Sequence, residues 1–150
     1  MDQKKAETLA RLIFQTAPPF RRNYIKPQQK MPPFLPKVPH HHLFCLIILK
    51  QSERESMSSL AKKLGVSNQQ LTRIVSELVE NGYAERSADE TNRRVVCISA
   101  TEKGKKLLDL FFRFACRHIQ THFSSLSDEE VDSFIYHLSE IVKLFDKLER

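Results

Sequence analysis

The sequence predicts a mostly helical fold with one small β-hairpin, and three observations between Ser56 and Gly104 carry that prediction. A short helix and a longer helix are separated by a tight turn around Gly65. The longer helix is two-faced, apolar on one side and rich in uncharged polar groups on the other. Two strand-like runs then flank a turn that closes on a pair of arginines. In that order these pieces are the ground plan of a winged helix-turn-helix.

The turn is specified residue by residue. Ala61 supplies the small side chain needed where two helices cross closely, and Gly65 stands where the first helix must stop, a position that usually needs positive φ. Leu60, Leu64, Val66 and Leu71 complete an apolar plug. Ser67 caps the second helix, and Gln70 three residues later completes a capping box. Leu71, Ile74, Val75, Leu78 and Val79 fall on one stripe, and Asn81-Gly82 ends the helix. Asn68, Gln69, Thr72, Arg73 and Ser76 occupy the other face, with amide and hydroxyl groups suited to base edges and phosphates and one charge-assisted donor.

In the hairpin, Tyr83–Ser87 and Val95–Ser99 read as strands around the turn residues Ala88 to Asn92. Arg93 and Arg94 close the turn. A hairpin projecting from a helix-turn-helix can lay such arginines in a narrow minor groove, where negative potential is concentrated. The expected DNA-binding set is therefore Ser67, Asn68, Gln69, Gln70, Thr72, Arg73, Ser76, Asn92, Arg93 and Arg94.

Across Ser56–Lys106 the chain resembles the MarR-type regulators, through LAKKLGVSNQQLTRIVSELVENGY and the junction DETNRRVVCISATEKG. In that family the wing commonly reads Asp-x-x-Asp-Arg-Arg, followed by strand residues and Leu-Thr-x-x-Gly. Asp89, Arg93, Arg94, Thr101 and Gly104 match; Asn92 replaces the second acid and Ala100 the leucine. The resemblance implies a homodimer on double-stranded DNA, a pseudo-palindromic operator and a ligand-responsive repressor. It also implies that the terminal helices dimerise and that a small-molecule effector binds beside them, with the effector-binding residues unknown. On this reading the chain is one domain over residues 1–150. Residues 40–106 form the DNA-binding winged helix-turn-helix, and residues 1–39 and 107–150 form the dimerisation and effector region.

Length and charge agree. At 150 residues there is room for one core, and the net charge of +6 suits an acidic partner such as nucleic acid. The charge is uneven: Lys4, Lys5, Arg11, Arg21, Arg22, Lys26, Lys30 and Lys37 face only Asp2 and Glu7 in residues 1–39, whereas residues 107–150 are net acidic. A basic N-terminal arm could equally pair with the acidic C-terminal part across a dimer. No apolar run approaches the length of a membrane span and the N-terminus carries no secretory signal pattern, so a cytoplasmic bacterial protein with no membrane partner is expected.

Outside the central motif, Leu9, Leu12, Ile13 and Phe14 predict an N-terminal helix over residues 2–17. All seven prolines lie at positions 18, 19, 27, 32, 33, 36 and 39, which predicts a break at Pro18-Pro19, a helical turn or two over Phe20–Ile25, and then an extended loop packing near the effector pocket. His40 to Gln51, with the run LFCLIIL, is the expected core helix. Thr101 caps a long helix running to Phe123, and Ser127 with Glu130 opens a last helix through a second capping box. That helix carries Val131, Phe134, Ile135, Leu138, Ile141, Val142, Phe145 and Leu148 in near-heptad steps, more apolar surface than a small winged domain needs for itself. A dimer in which terminal helices interlock covers it.

Two variants of the same fold stay open. Cys45, Cys97 and Cys116 are odd in number and lack a CxxC, which argues against a disulfide framework; only Cys116, beside Arg117, has the local cation a redox sensor needs. His118 and His122 stand at i, i+4, a spacing compatible with a metal, while His40-His41-His42 read as solvent-facing or capping. A metal- or redox-gated repressor is therefore one alternative, and a winged-helix protein-interaction module without DNA reading is another. Catalysis is not expected: there is no GxSxG, HExxH or Walker loop, and no cofactor is called for.

Overall fold

The structure, a computed structural model, describes residues 1–25, 36–89 and 92–148. Helix α1 (Gln3–Phe20) passes into a π-helical turn at Arg21–Ile25; α2 (His40–Ser52) leads to a short strand β1 (Arg54–Ser56). Then come α3 (Met57–Leu64), α4 (Asn68–Glu80), β2 (Ala84–Ala88), β3 (Val96–Ala100), α5 (Glu102–His122) and α6 (Asp128–Leu148). The chain divides into two compact units, Met1–Asp109 and Leu110–Arg150.

In the first unit the core gathers one apolar face from each element. Leu46 of α2, Leu60 of α3, Leu71 and Val75 of α4, Ile98 of β3 and Leu108 of α5 are all fully buried. Ala61 is buried at the crossing, while Leu64 and Val66 are half-buried at its rim. Gly65 ends α3 in the left-handed conformation at φ 64°, and its N–H and that of Val66 close the turn on Lys62 and Ala61 carbonyls. Ser56 caps α3, and the Ser67–Gln70 capping box opens α4 as the sequence predicts.

The sheet has a member the sequence reading missed. Beside the predicted hairpin, β1 adds to β3, giving an antiparallel order β1-β3-β2 with Glu55 opposite Ile98 and Arg86 opposite Ile98 from the other side. Three residues are too few for an alternation pattern to register. Glu55 is nonetheless buried in this strand, where Lys63 of α3 pairs with it.

The predicted break at Pro18-Pro19 is not there. Both prolines lie inside α1, and the helix continues to Phe20 before widening at Arg21–Ile25. Proline's fixed φ is itself helical; its cost is two missing donors, to the Phe14 and Gln15 carbonyls. No residue of α1 is buried, so those carbonyls stand on an exposed helix and not in an interior where they would have to be paired. The Arg21 N–H bonds back to both the Ala17 and Pro18 carbonyls, four and three residues earlier, just where the π-helical turn begins. The predicted Pro-rich loop falls mainly on residues 26–35, outside the described residues.

The second unit holds the end of α5 and all of α6. Ser127 and Glu130 form the expected capping box, each backbone N–H bonding the other's side chain at 2.9 and 3.3 Å. Phe123 meets Phe134 edge-on, with ring centroids 5.1 Å apart. No residue of α6 is buried, and Phe134, Ile135, Leu138, Ile141, Val142 and Phe145 are all exposed.

Candidate nucleic-acid interface

The face of α4 that the core does not take is polar and open. Asn68, Gln69, Gln70, Thr72 and Arg73 are exposed and Ser76 is half-exposed. Their side chains divide into two kinds. Ser67 and Gln70 spend one oxygen each on the capping box, and Thr72 donates to the Asn68 carbonyl at 2.8 Å, so these three also hold the helix start. Asn68 and Gln69 make no side-chain hydrogen bond among the described residues and keep their full amide capacity for a partner.

Arg73 is engaged more closely than the sequence suggests. Its Nε donates to Glu77 Oε1 at 3.0 Å, one helical turn on. Glu77 Oε2 is in turn bonded to Nε2 of His42, at 2.9 Å, from helix α2. The Arg73 bond, reinforced by His42, holds the Glu77 carboxyl below its ordinary range. His42 is therefore not a solvent-facing or capping residue: it is buried, with its Nδ1 unpaired in the interior. Burial of the imidazole follows from its place one turn into an apolar helix, beside Leu43 and Leu46.

The wing begins with a residue absent from the expected set. Arg86 on β2 reaches across to α4 and donates to Ser76 Oγ at 2.9 Å, so the strand and the reading helix share one exposed polar surface. Asp89 and Asn92 build the bend, since Asp89 Oδ1 accepts from the Asn92 N–H and Asn92 Oδ1 from the Arg94 N–H. Asn92 thus serves as turn chemistry. Arg93 and Arg94 are exposed beside it; Glu90 and Thr91 at the tip lie outside the described residues. Arg54 of β1 donates to the Ala88 carbonyl, at the end of β2 where the turn begins.

The far end of α4 is clasped by the start of α5. Thr101 Oγ1 donates to the Gly82 carbonyl at 2.6 Å, Lys103 Nζ to the Asn81 carbonyl at 2.8 Å, and the Thr101 N–H to Tyr83 at 3.1 Å. Lys103 also lies 5.0 Å over the Tyr83 ring. Gly104 is required by this contact: a Cβ there would sit 2.1 Å from the Tyr83 carbonyl oxygen.

Cys45 and Cys97 belong to the first unit, and Cys116, His118 and His122 to the second. Burial pushes the Cys45 thiol up to about 12, far from a reactive thiolate. Cys97 is buried under the wing, its sulfur 3.8 Å from Asp89 Oδ2, and Cys116 is exposed. His118 and His122 stack with ring centroids 6.0 Å apart, on one helix face as their spacing requires. Among the described residues no third histidine, cysteine or carboxylate joins them in a metal-binding group.

Of the functional residues the sequence reading missed, Glu77 had a legible signal in its i+4 spacing from Arg73. His42 had none, being 35 residues away on another helix.

Comparison with known proteins places this arrangement. Residues 38–96 match the model of the MarR family. The HTH-type transcriptional repressor YetL of Bacillus subtilis is 27% identical over 106 residues, covering 71% of this chain and 62% of YetL. The crystal structure of apo MarR from E. coli superposes with a TM-score of 0.74 at 21% identity, over 89% of this chain and 95% of that one. Sco3205, a MarR family transcriptional regulator from Streptomyces coelicolor solved in complex with DNA, superposes with a TM-score of 0.66 at 20% identity, over 98% and 89%. With the winged helix and its capped reading helix in place, the chain carries a region, residues 38–96, that matches the MarR family, on the fold of the MarR structures.

Proposed function

We propose that the protein is a sequence-specific DNA-binding transcriptional regulator, a ligand-responsive repressor that acts as a homodimer on a pseudo-palindromic operator. The observation that carries this reading is the continuous exposed polar surface from α4 to the wing, joined by the Arg86–Ser76 bond and flanked by Arg73, Arg93 and Arg94. A repressor among its relatives and a structural neighbour bound to DNA support it. Two copies of α4 enter successive major grooves, and the wings reach the adjoining minor grooves. Residues 40–106 read DNA. Residues 1–39 and 107–150 dimerise and border the effector site, so that an effector changes the spacing of the two reading heads. The exposed apolar faces of α1 and α6 supply the dimer contact.

On this reading the protein binds and does not catalyse, and it works in the cytoplasm; no helix among the described residues is long and apolar enough to cross a membrane. Arg73→Ala weakens specific binding by about 1–3 kcal/mol. The test is fluorescence anisotropy on duplexes selected from a randomised library, repeated over a salt series. Affinity that falls linearly in log–log form with salt and is lost on scrambled duplexes is expected. Equal, salt-insensitive signals on both would sink the reading.

A further inference from the structure

We infer that His42, Glu77 and Arg73 form a positioning relay that presents Arg73 as a preset fork for the major-groove edge of a guanine. This inference rests on the DNA-reading function proposed above and goes beyond it by naming the base and a residue of the core helix that acts on it.

The geometry is a chain of three side chains through the two oxygens of one carboxylate. Arg73 Nε bonds Glu77 Oε1 at 3.0 Å, and His42 Nε2 bonds Glu77 Oε2 at 2.9 Å. Exposure rises along it. The His42 side chain is only 10% exposed, that of Glu77 39% and that of Arg73 84%. An exposed i, i+4 ion pair alone fluctuates and contributes little. Here the carboxylate is pinned on its second oxygen by an imidazole that the core holds still. With Nδ1 unpaired in the interior, the Glu77 bond is the polar contact that orients the ring.

Committing Nε to Glu77 leaves both terminal nitrogens of Arg73 unpaired among the described residues. Their parallel N–H groups match guanine O6 and N7 end-on, the commonest specific arginine contact in the major groove. The rotamer is fixed before DNA arrives, so less order has to be imposed on binding. A lysine at this position could not use such a brace, because it has no inner N–H to give away.

The experiment uses the full chain and a randomised duplex library, followed by affinity measurement at fixed salt, with circular dichroism confirming each variant's fold. The wild type is expected to enrich a guanine in each half-site, and Arg73→Ala to lose that preference alone. His42→Leu should cut the discrimination at that one position by about tenfold and leave the other positions unchanged. His42→Gln, whose amide can still donate to Glu77, should restore it. In an Arg73→Ala background, His42→Leu should add nothing. If His42→Leu does not fold, Glu77→Ala at a half-exposed position gives the same readings. A loss spread evenly over all positions, or a His42→Leu penalty that persists without Arg73, would overturn the relay and leave DNA reading intact. A wild type that enriches no motif would overturn the DNA-reading function, and the relay with it.

Discussion

Helices α4 and α6 are both written in leucine, isoleucine and valine at steps of three and four, with phenylalanine added in α6, and they end in different places. In α4, Leu71, Ile74, Val75 and Leu78 are all buried within the unit that contains them. In α6 nothing is buried, and the same holds for α1, whose Leu9, Leu12, Ile13 and Phe14 are each at least half exposed. Periodicity shows that a face is made to be covered; what covers it is a separate matter. For α4 the cover comes from the chain's own core. For α1 and α6 it has to come from elsewhere, because each buried Leu, Ile or Phe is worth about 1.5–3 kcal/mol against leaving it in water.

The contrast breaks first at its strong side. Leu71→Ala removes a fully buried side chain from the helix crossing and should cost about 2–5 kcal/mol, seen as a lowered thermal midpoint together with lost DNA binding. An unchanged midpoint would mean that the crossing is not the keystone of the core. On the other side, deleting Val131–Arg150 should abolish the dimer in sedimentation. Ile141→Lys with Phe145→Lys should weaken it while leaving the winged domain's hydrogen exchange unaltered. A full-length chain that is monomeric at micromolar concentration would show that α6 is covered in some other way.

Smaller effects sharpen the comparison within the reading surface. Arg93→Ala and Arg94→Ala should each weaken binding with little change in base preference, and each should lower the salt slope by about one, since these residues are expected to meet backbone and groove potential. A shift in base preference instead would move them into the same class as Arg73.

The smallest expected effect is on acid stability. Burial works to raise the Glu55 carboxyl, but hydrogen bonds from Lys63, Ser59 and Ser52 outweigh it and hold it below its ordinary 4.5. A folded-state value below the unfolded one adds stability that is fully present above pH 4.5 and is lost as pH falls through the lowered value. Glu55→Gln should therefore flatten the acid limb of the stability–pH curve below pH 4.5, and leave its slope above pH 6 as it was. A steeper acid limb in the mutant would reverse the sign argued here.

The winged domain was legible because its signals are local. Gly65, Ser67 with Gln70, Asn81-Gly82 and Thr101 as the cap of α5 each act within a few residues, and each was found where the sequence placed it. Strand β1 was hidden because three residues carry no period. The proline pair misled for a different reason: the expected break rested on proline's missing donor and fixed φ, but that φ is itself helical and the missing donors fall on a helix with no buried residue. In the reading surface, the exposed face of α4 followed from its pattern. The bond from Arg86 to Ser76 and the anchor from His42 to Glu77 join separate elements, and no local rule reaches that far.

The clasp between α5 and the end of α4 has one more consequence. Thr101 and Lys103 grip the carbonyls of Asn81, Gly82 and Tyr83, so residues 84–100 enter and leave the domain through a gate that is already shut. The wing is an excursion between two fixed posts. Lengthening such a closed excursion costs little, about 0.6 kcal/mol for each doubling of a flexible loop. Its tip can therefore be lengthened, shortened or exchanged without disturbing the posts, which makes the tip, and not the strand that bonds α4 through Arg86 and Ser76, the part of this domain most open to redesign.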